Sequence, residues 1–126
     1  IDVYTTACDK RMIGNFVYEY TKEDGETFPI VGFENHNGQT WLGDHVKPLG
    51  KMIKGFGNNG EDGTEGARYN NVFATYSHGP LLPKNARFAD ELLGVAYERK
   101  YGEKLSPLEH DMEDAALNDI KKQLGC

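Results

Sequence analysis

The spacing of apolar residues changes once along this chain, and that change constrains the fold more than any other feature. The first two-thirds are rich in glycine, asparagine and aromatic residues with short β-branched runs, whereas residues 85–125 place apolar residues three and four positions apart. Alternation is typical of strands, and spacing near 3.6 is typical of helices. The sequence therefore predicts an α/β chain, in which β-hairpins and a mixed sheet are followed by two C-terminal helices.

Four segments have strand composition, bounded by turn residues. The predicted strands are Met12–Tyr20, Pro29–Phe33, Gln39–Leu42 and Val72–Tyr76. Turns are expected at Glu23–Glu26 and Glu34–Gly38, the second making Gln39–Leu42 the return strand of a hairpin. In the first strand, Met12, Phe16, Tyr18 and Tyr20 should form the buried face, opposite Asn15, Val17 and Glu19. The apolar run Val72–Tyr76 is expected to be a central strand, with His78 just beyond its end.

Residues Gly55–Gly66 carry glycine, asparagine or an acid at nearly every position. Such a segment has too little apolar surface to form a buried element, so we expect a solvated loop. Its acids do not follow the alternating ligand pattern of a calcium-binding EF-hand loop.

The last third predicts two helices. Asn85 is placed to cap the first, which should end near Gly102. Ser106, Pro107 and Glu109 have the pattern of a capping box with proline at the first helical position, so the second helix should start there and stop at Gly125. Its predicted buried stripe is Leu108, Met112, Ala116, Ile120 and Leu124.

Composition excludes several classes of protein. The net charge is −6 and the 14 lysines and arginines are scattered, which argues against nucleic-acid binding. No apolar run approaches the length of a membrane span, so no membrane insertion is expected. Only Cys8 and Cys126 are present, which favours a reducing, cytoplasmic setting. The four histidines are far apart in sequence and no metal-ligand pair occurs, so neither a metal nor a cofactor is expected.

His78 is the leading candidate for chemistry. A histidine at the end of a strand, before Gly79 and Pro80, can be held rigidly while one ring nitrogen faces a substrate. The alternative is a structural histidine bonded to backbone. Arg11 precedes a strand and can either bind a substrate carboxylate or merely solvate the start of that strand. Cys8 lacks the glycine-flanked sharp turn of a nucleophile and is interpreted as incidental.

Three ordered motifs carry a family resemblance. They are Val31–Thr40, Gly55–Asp62 and Thr75–Asn85. Together they resemble the GatD family of glutaminase subunits, in the CobQ/CobB (cobyric acid synthase-like) branch of class I glutamine amidotransferases. The resemblance implies that residues 1–126 are the C-terminal portion of one flavodoxin-like amidotransferase domain. It implies that the nucleophilic cysteine lies upstream of Ile1, where the sequence begins without a methionine.

The resemblance also implies roles for two residues. His78 falls on the histidine that activates the cysteine for attack on glutamine, and Arg11 falls on an arginine associated with glutamine binding. Pro80 replaces the acid usually found two residues after the histidine, which leaves either a dyad or an acid supplied elsewhere, and Gln39 stands where arginine is expected. The implied partner is an ATP-dependent, MurT-like Mur ligase that amidates D-glutamate of lipid II. Two alternatives stay open: a domain of a cobyric acid or cobyrinate synthase, and a non-catalytic interaction module.

Overall fold

The computed structural model describes all 126 residues, which form two compact units, Ile1–Gly79 and Pro80–Cys126. The first unit contains every strand and the second every helix, as the change of spacing predicts. The elements are β1 (Val3–Thr21), β2 (Thr27–Leu42), β3 (Gly50–Lys54), β4 (Thr64–Glu65), β5 (Ala67–Tyr69), β6 (Val72–Ala74), α1 (Leu81–Lys84), α2 (Ala86–Tyr101) and α3 (Asp111–Leu124). All strand pairs are antiparallel, in a sheet of order β2-β1-β3-β4 and a separate β5-β6 pair.

The β1–β2 hairpin forms the centre of the first unit. Its turn lies at the predicted place, where the Lys22 amide donates to Glu26 O at 2.8 Å and Gly25 adopts φ 89°. The predicted buried face is confirmed, since its four residues Met12, Phe16, Tyr18 and Tyr20 are at most 2% exposed. Val17, assigned to the opposite face, is also buried. The sheet is therefore covered on both sides near Val17 and open on one side farther along.

The predicted turn at Glu34–Gly38 is wrong, because β2 runs through it without interruption. The β1 strand begins at Val3, and its first residues pair with Gly38–Leu42. Between Ala7 and Met12 the register shifts, so four residues of β1 face only Asn37 of β2. The bulge accommodates the extra polar residues of β1, and antiparallel pairing continues on both sides of it. Gln39–Leu42 is a strand, but it continues β2 rather than returning alongside it.

Val72–Tyr76 is not a central strand. Only Val72–Ala74 is extended, it pairs with β5 in the two-stranded sheet, and Val72 is 48% exposed. Asn70 has φ 51°, so Asn70 and Asn71 make a two-residue turn that joins β5 to β6 as a short hairpin. Asparagine tolerates this left-handed conformation better than other non-glycine residues, which explains the tight turn.

Residues Gly55–Gly66 form a loop, as predicted, apart from the two residues of β4. The expectation that the loop is solvated is wrong at its centre, where Asn58 and Asn59 are 1% and 2% exposed. The Asn58 side chain donates to Thr64 Oγ1 and Gly66 O and accepts from the Gly66 amide. Buried amide side chains, rather than apolar ones, therefore form the core of this loop.

The first predicted helix is confirmed as α2, which ends at Gly102 in the left-handed conformation (φ 72°). Asn85 occupies the residue before α2, but its side chain makes no capping bond there. Its amide donates instead to Leu81 O at 2.7 Å. The short helix α1, which the sequence did not predict, occupies the preceding four residues and competes for this side chain.

The second helix begins at Asp111 rather than at Ser106, so the predicted capping box is wrong. His110 precedes α3 and bonds through Nε2 to Asp90 Oδ2 of α2 at 2.6 Å. That hydrogen bond to Asp90 raises the pKa of His110. Acidic residues then fill the first turn of α3, which favours the start of the helix there.

The predicted buried stripe of this helix is also wrong at its beginning. Leu108 is 50% exposed, Met112 is 80% exposed, and no residue of α3 is fully buried. Ile120 and Leu124 are half-buried. The end at Gly125 is confirmed, with φ 73°. None of the helices has both the length and the apolar composition to cross a membrane.

Replacing Asn58 by alanine tests the buried-amide account of the loop. Asn58→Ala removes three side-chain hydrogen bonds and leaves buried backbone groups of Gly66 unpaired. We expect the free energy of unfolding to fall by about 2–4 kcal/mol in urea titrations. Asn71→Ala, in the exposed turn between β5 and β6, is the matched control and should change it by less than about 0.5 kcal/mol. Equal effects of the two substitutions would contradict the account.

Candidate functional site

His78 lies at the outer edge of the larger sheet. Its backbone amide donates to Phe33 O at 2.8 Å, in a single antiparallel bridge to β2. The predicted position at the end of a central strand is therefore wrong, since β2 is the edge strand and β6 ends at Ala74. The side chain is nevertheless exposed on a backbone that is tied to a strand. This combination of a fixed backbone and an accessible ring suits a residue that acts on a substrate.

Side-chain hydrogen bonds fix the three residues before His78. Glu65 Oε1 accepts from Thr75 Oγ1 at 2.6 Å and from the Tyr76 amide at 2.8 Å. Thr75 Oγ1 in turn accepts from the Ser77 amide at 2.9 Å. The irregular segment Thr75–Ser77 thus has a defined path although it belongs to no strand.

Tyr76 is held from its ring side as well. The ring of His36 stacks on it with centroids 3.7 Å apart and planes 9° apart. The Tyr76 hydroxyl lies 2.6 Å from Thr40 Oγ1, and His36 Nδ1 lies 2.9 Å from Gly38 O. These contacts indicate that His36 and Tyr76 have structural roles.

Arg11 lies in the β1 bulge and is exposed. Its Nε donates to Asn35 Oδ1 of β2 at 2.7 Å, while its terminal nitrogens make no hydrogen bond within the chain. One edge of the guanidinium is therefore anchored and the other can receive a carboxylate in bidentate fashion. A bulge that aims a side chain in this way is common beside functional sites.

The strand register brings Arg11 and His78 to the same face of β2. Phe33 pairs with His78 on one side and Asn15 on the other, and directly paired antiparallel residues point to the same face. Asn35, two residues along β2, shares that face because side chains alternate. The anchor of Arg11 and the bridge of His78 are thus separated by about 7 Å along the strand, two residues at the usual rise.

Two buried acids in the first unit were not predicted as important. Glu34 is 1% exposed, and its carboxylate accepts from the Phe56 and Gly57 amides at 2.9 and 3.0 Å. Glu65 is fully buried, and its Oε2 has no hydrogen-bond partner. A signal existed in the sequence, since each acid is flanked by glycine and apolar or small residues, as in Val31–Glu34 and Thr64–Ala67.

Burial raises the pKa of Glu65, and the negative charge of Glu34 raises it further, against hydrogen bonds from Thr75 and Tyr76 that lower it. Burial also raises the pKa of Tyr18, whose hydroxyl lies 3.3 Å from Ser77 Oγ, to about 12. The surroundings of Thr75–Ser77 therefore favour neutral side chains.

Gln39 links β2 to the glycine-asparagine loop. Its Nε2 donates to Asn59 O at 2.8 Å and to Glu61 Oε1 at 3.0 Å. Gln39 is thus part of the loop's hydrogen bonding in this chain. Both cysteines are free thiols, and no group of three His, Cys, Asp or Glu side chains is placed to hold a metal ion.

An open groove of about 1000 Å³ occupies another part of the first unit. Charged residues of both signs line it, among them Glu23, Lys47, Lys51 and Arg68. Neither His78 nor Arg11 contributes to it, so it is separate from the candidate site.

Comparison with known proteins gives a consistent picture. Residues 1–86 match the model of the CobB/CobQ-like glutamine amidotransferase domain. The chain is 41% identical over 115 residues to the lipid II isoglutaminyl synthase (glutamine-hydrolyzing) subunit GatD of Streptococcus pneumoniae, covering 91% of this chain and 40% of that protein. It is 45% identical over 114 residues to the GatD subunit of Staphylococcus aureus, covering 90% and 44% respectively.

A further relative is a probable cobyric acid synthase of Methanothermobacter thermautotrophicus. It is 40% identical over 100 residues, covering 79% of this chain and 18% of that protein. The chain thus spans less than half the length of each of these relatives.

The raised pKa of Glu65 leads to a prediction about stability and pH. Folded Glu65 keeps its proton to a higher pH than unfolded Glu65 does, so the folded state binds more protons between the two pKa values. Glu65 therefore stabilises the fold fully at pH values below its pKa in the unfolded chain. This stabilisation is lost as the pH rises through its higher pKa in the folded protein. Glutamine does not titrate, so Glu65→Gln should not lose stability in this way. The thermal midpoint of Glu65→Gln minus that of wild type should therefore increase from acidic to neutral pH. A constant difference between the two midpoints across this range would contradict the assignment.

Proposed function

This chain belongs to the family of CobB/CobQ-like glutamine amidotransferase domains, and we propose that the intact protein is the glutaminase subunit of a lipid II isoglutaminyl synthase. The two GatD relatives support the specific choice, because each matches at least 90% of this chain at 41–45% identity. In this proposal, glutamine is the ammonia source. A MurT-like, ATP-dependent Mur ligase uses the ammonia to amidate D-glutamate of lipid II in the cytoplasm, without nucleic acid or membrane insertion.

The single observation that carries the proposal is the shared face of β2. Arg11 is anchored to Asn35 and His78 is tied to Phe33, two residues away on that face, and this supports the binding of a single glutamine molecule by both side chains. The guanidinium would bind the α-carboxylate of glutamine, and the imidazole would face the side-chain amide.

The chemistry of His78 follows from the reactivity of a thiol. In the proposed reaction, the imidazole takes the proton of a cysteine supplied from outside residues 1–126, and the thiolate sulfur attacks the amide carbon of glutamine. The imidazolium then protonates the departing nitrogen, which leaves as ammonia and gives a glutamyl thioester. Water, deprotonated by the same imidazole, hydrolyses the thioester to glutamate and restores the thiol.

In this proposal, residues 1–126 are the C-terminal portion of a flavodoxin-like domain. The strands described are antiparallel, so the parallel strands of such a domain, and of the mixed sheet expected from the sequence, would come from the rest of the protein. The isolated chain is accordingly expected to have no glutaminase activity. Cys8 lies at the start of the β1 bulge and is not proposed as the nucleophile.

A second candidate is the amidotransferase domain of a cobyric acid synthase. The relative of Methanothermobacter thermautotrophicus favours it, with 40% identity over 79% of this chain. The glutamine-hydrolysing chemistry would be the same and the acceptor would differ. Assays of the intact protein with its ligase and either lipid II or a corrinoid acid would separate the two candidates.

His78→Ala tests the proposed general base. In the intact protein, the substitution should lower kcat for glutamine hydrolysis by about 100-fold or more, because a positioned general base contributes a factor of this size. Ammonia release measures the effect, and circular dichroism checks the fold. His45→Ala, an exposed histidine outside the site, is the control and should keep full activity. Normal ammonia release by His78→Ala would refute the assignment.

Arg11→Ala tests the carboxylate contact. The loss of a bidentate pair should raise KM for glutamine by roughly 10-fold to 100-fold with a smaller change in kcat. Arg11→Lys should recover only part of the affinity, since an ammonium cannot form the paired contact. Lys51→Ala, which removes an exposed cation in the separate groove, is the charge-matched control. An unchanged KM in Arg11→Ala would show that Arg11 only solvates the bulge.

A further inference from the structure

Glu65 is placed to determine the position of His78, although the two residues belong to different parts of the chain. The carboxyl group is fully buried, as part of the two-residue strand β4. It has no cationic partner, and its Oε2 has no hydrogen-bond partner. A buried acid without a counter-charge costs free energy, so its bonds to the neighbouring segment call for an explanation beyond stability.

These bonds converge on the residues that lead to His78. Oε1 accepts from both the hydroxyl of Thr75 and the amide of Tyr76. The hydroxyl of Thr75 then accepts from the Ser77 amide. One buried oxygen thus controls the backbone path of the three residues before His78. The amide of His78 adds a further backbone tie, which it donates to Phe33 O at 2.8 Å.

On the side that faces β2, close packing prevents the segment Thr75–Ser77 from moving. A side-chain carbon at Gly32 would lie 2.9 Å from Ser77 Oγ and 2.7 Å from the ring of Phe16. Ser77 therefore sits directly against the β2 backbone. If the Glu65 bonds were lost, Thr75–Ser77 could move only away from β2, and this would carry His78 with it.

On this basis, and resting on the proposed function, we propose that Glu65 is a positioning residue that holds the His78 imidazole in its productive place through Thr75 and Tyr76. Glu65 touches neither the substrate nor the reacting atoms in this proposal. A neutral acceptor should serve as well as the carboxyl group, because Oε1 acts only as an acceptor of hydrogen bonds. Glutamine keeps that acceptor and nearly the same shape, whereas alanine removes it.

The test compares four variants of the intact protein with wild type and His78→Ala. Glu65→Ala and Thr75→Val should each lower kcat for glutamine hydrolysis by roughly 10-fold to 100-fold while KM changes less than about 3-fold, as expected for a misplaced general base. Glu65→Gln and Thr75→Ser keep the relevant oxygen and should stay within about 3-fold of wild type. Thr75→Val preserves side-chain volume, so it remains informative if Glu65→Ala fails to fold.

A second measurement follows the position of the ring without relying on turnover. The pH dependence of alkylation of the nucleophilic thiol by iodoacetamide reports the thiol pKa, which a nearby imidazolium lowers. The apparent thiol pKa should rise in Glu65→Ala and Thr75→Val, as in His78→Ala, and stay at the wild-type value in the two conservative variants. Phe28→Leu, a core substitution near the hairpin turn, is the control for general destabilisation and should leave the thiol pKa unchanged.

The outcomes separate the two levels of the argument. If His78→Ala is inactive while Glu65→Ala and Thr75→Val keep wild-type kcat and thiol pKa, the positioning role is overturned and the proposed function stands. Low kcat in a folded Glu65→Gln variant would also overturn the positioning role. The carboxyl group would then do more than accept hydrogen bonds. Full activity in His78→Ala overturns the proposed function, and this inference with it.

Discussion

The long antiparallel pairing of β1 with β2 is the constraint on which the rest of the first unit depends. It buries the aromatic face of β1 and fixes the register of every β2 residue, including Phe33 and Asn35. The backbone of His78 is tied to β2 through Phe33, and the side chain of Arg11 is anchored on β2 through Asn35. A shift of this ladder by one residue would move both anchors to the opposite face. The relative position of the two candidate residues is therefore a consequence of a single register.

Buried polar side chains take over where apolar packing is insufficient. The glycine-asparagine loop has few apolar residues, and Glu34 from β2 holds it by accepting two of its backbone amides. Gly57 adopts φ 66°, and a side-chain carbon there would lie 2.2 Å from Thr64 O. The loop can therefore close around Glu34 only with glycine at this point. The loop and β2 are then joined by hydrogen bonds, and Glu65 at the end of the loop lies within hydrogen-bond distance of Thr75.

The sequence predicted those features that depend on local pattern. The alternation of Met12–Tyr20, the turn after it, and the end of α2 at Gly102 are each determined by a few neighbouring residues, and all three are confirmed. The continuous β2 strand and the late start of α3 depend on distant partners instead. Glu34–Gly38 resembles a turn until β1 pairs with it, and Ser106 resembles a cap until Asp90 bonds His110. Such tertiary contacts override local propensity.

The candidate site divides in the same way. His78 and Arg11 were found from residue type, neighbours and family motifs, but their common face came only from the strand register. Glu65 was missed because an acid in a glycine-rich segment has the composition of a solvated loop, and only its complete burial distinguishes it.

Pro80 stands where an acid is usually found two residues after the histidine, so the contacts made by the buried Glu65 matter more for the position of His78. In a triad, an acid bonded to the histidine orients the ring directly. Proline cannot do so, and it also ends the segment by removing a backbone donor. Within residues 1–126, the bonds from Glu65 and the tie to Phe33 restrict movement of the backbone that leads to the ring. In the proposed mechanism, a rigid segment before His78 keeps its ring in place whether it acts in a dyad or with an acid supplied elsewhere, and the contacts of Thr75–Ser77 provide that rigidity.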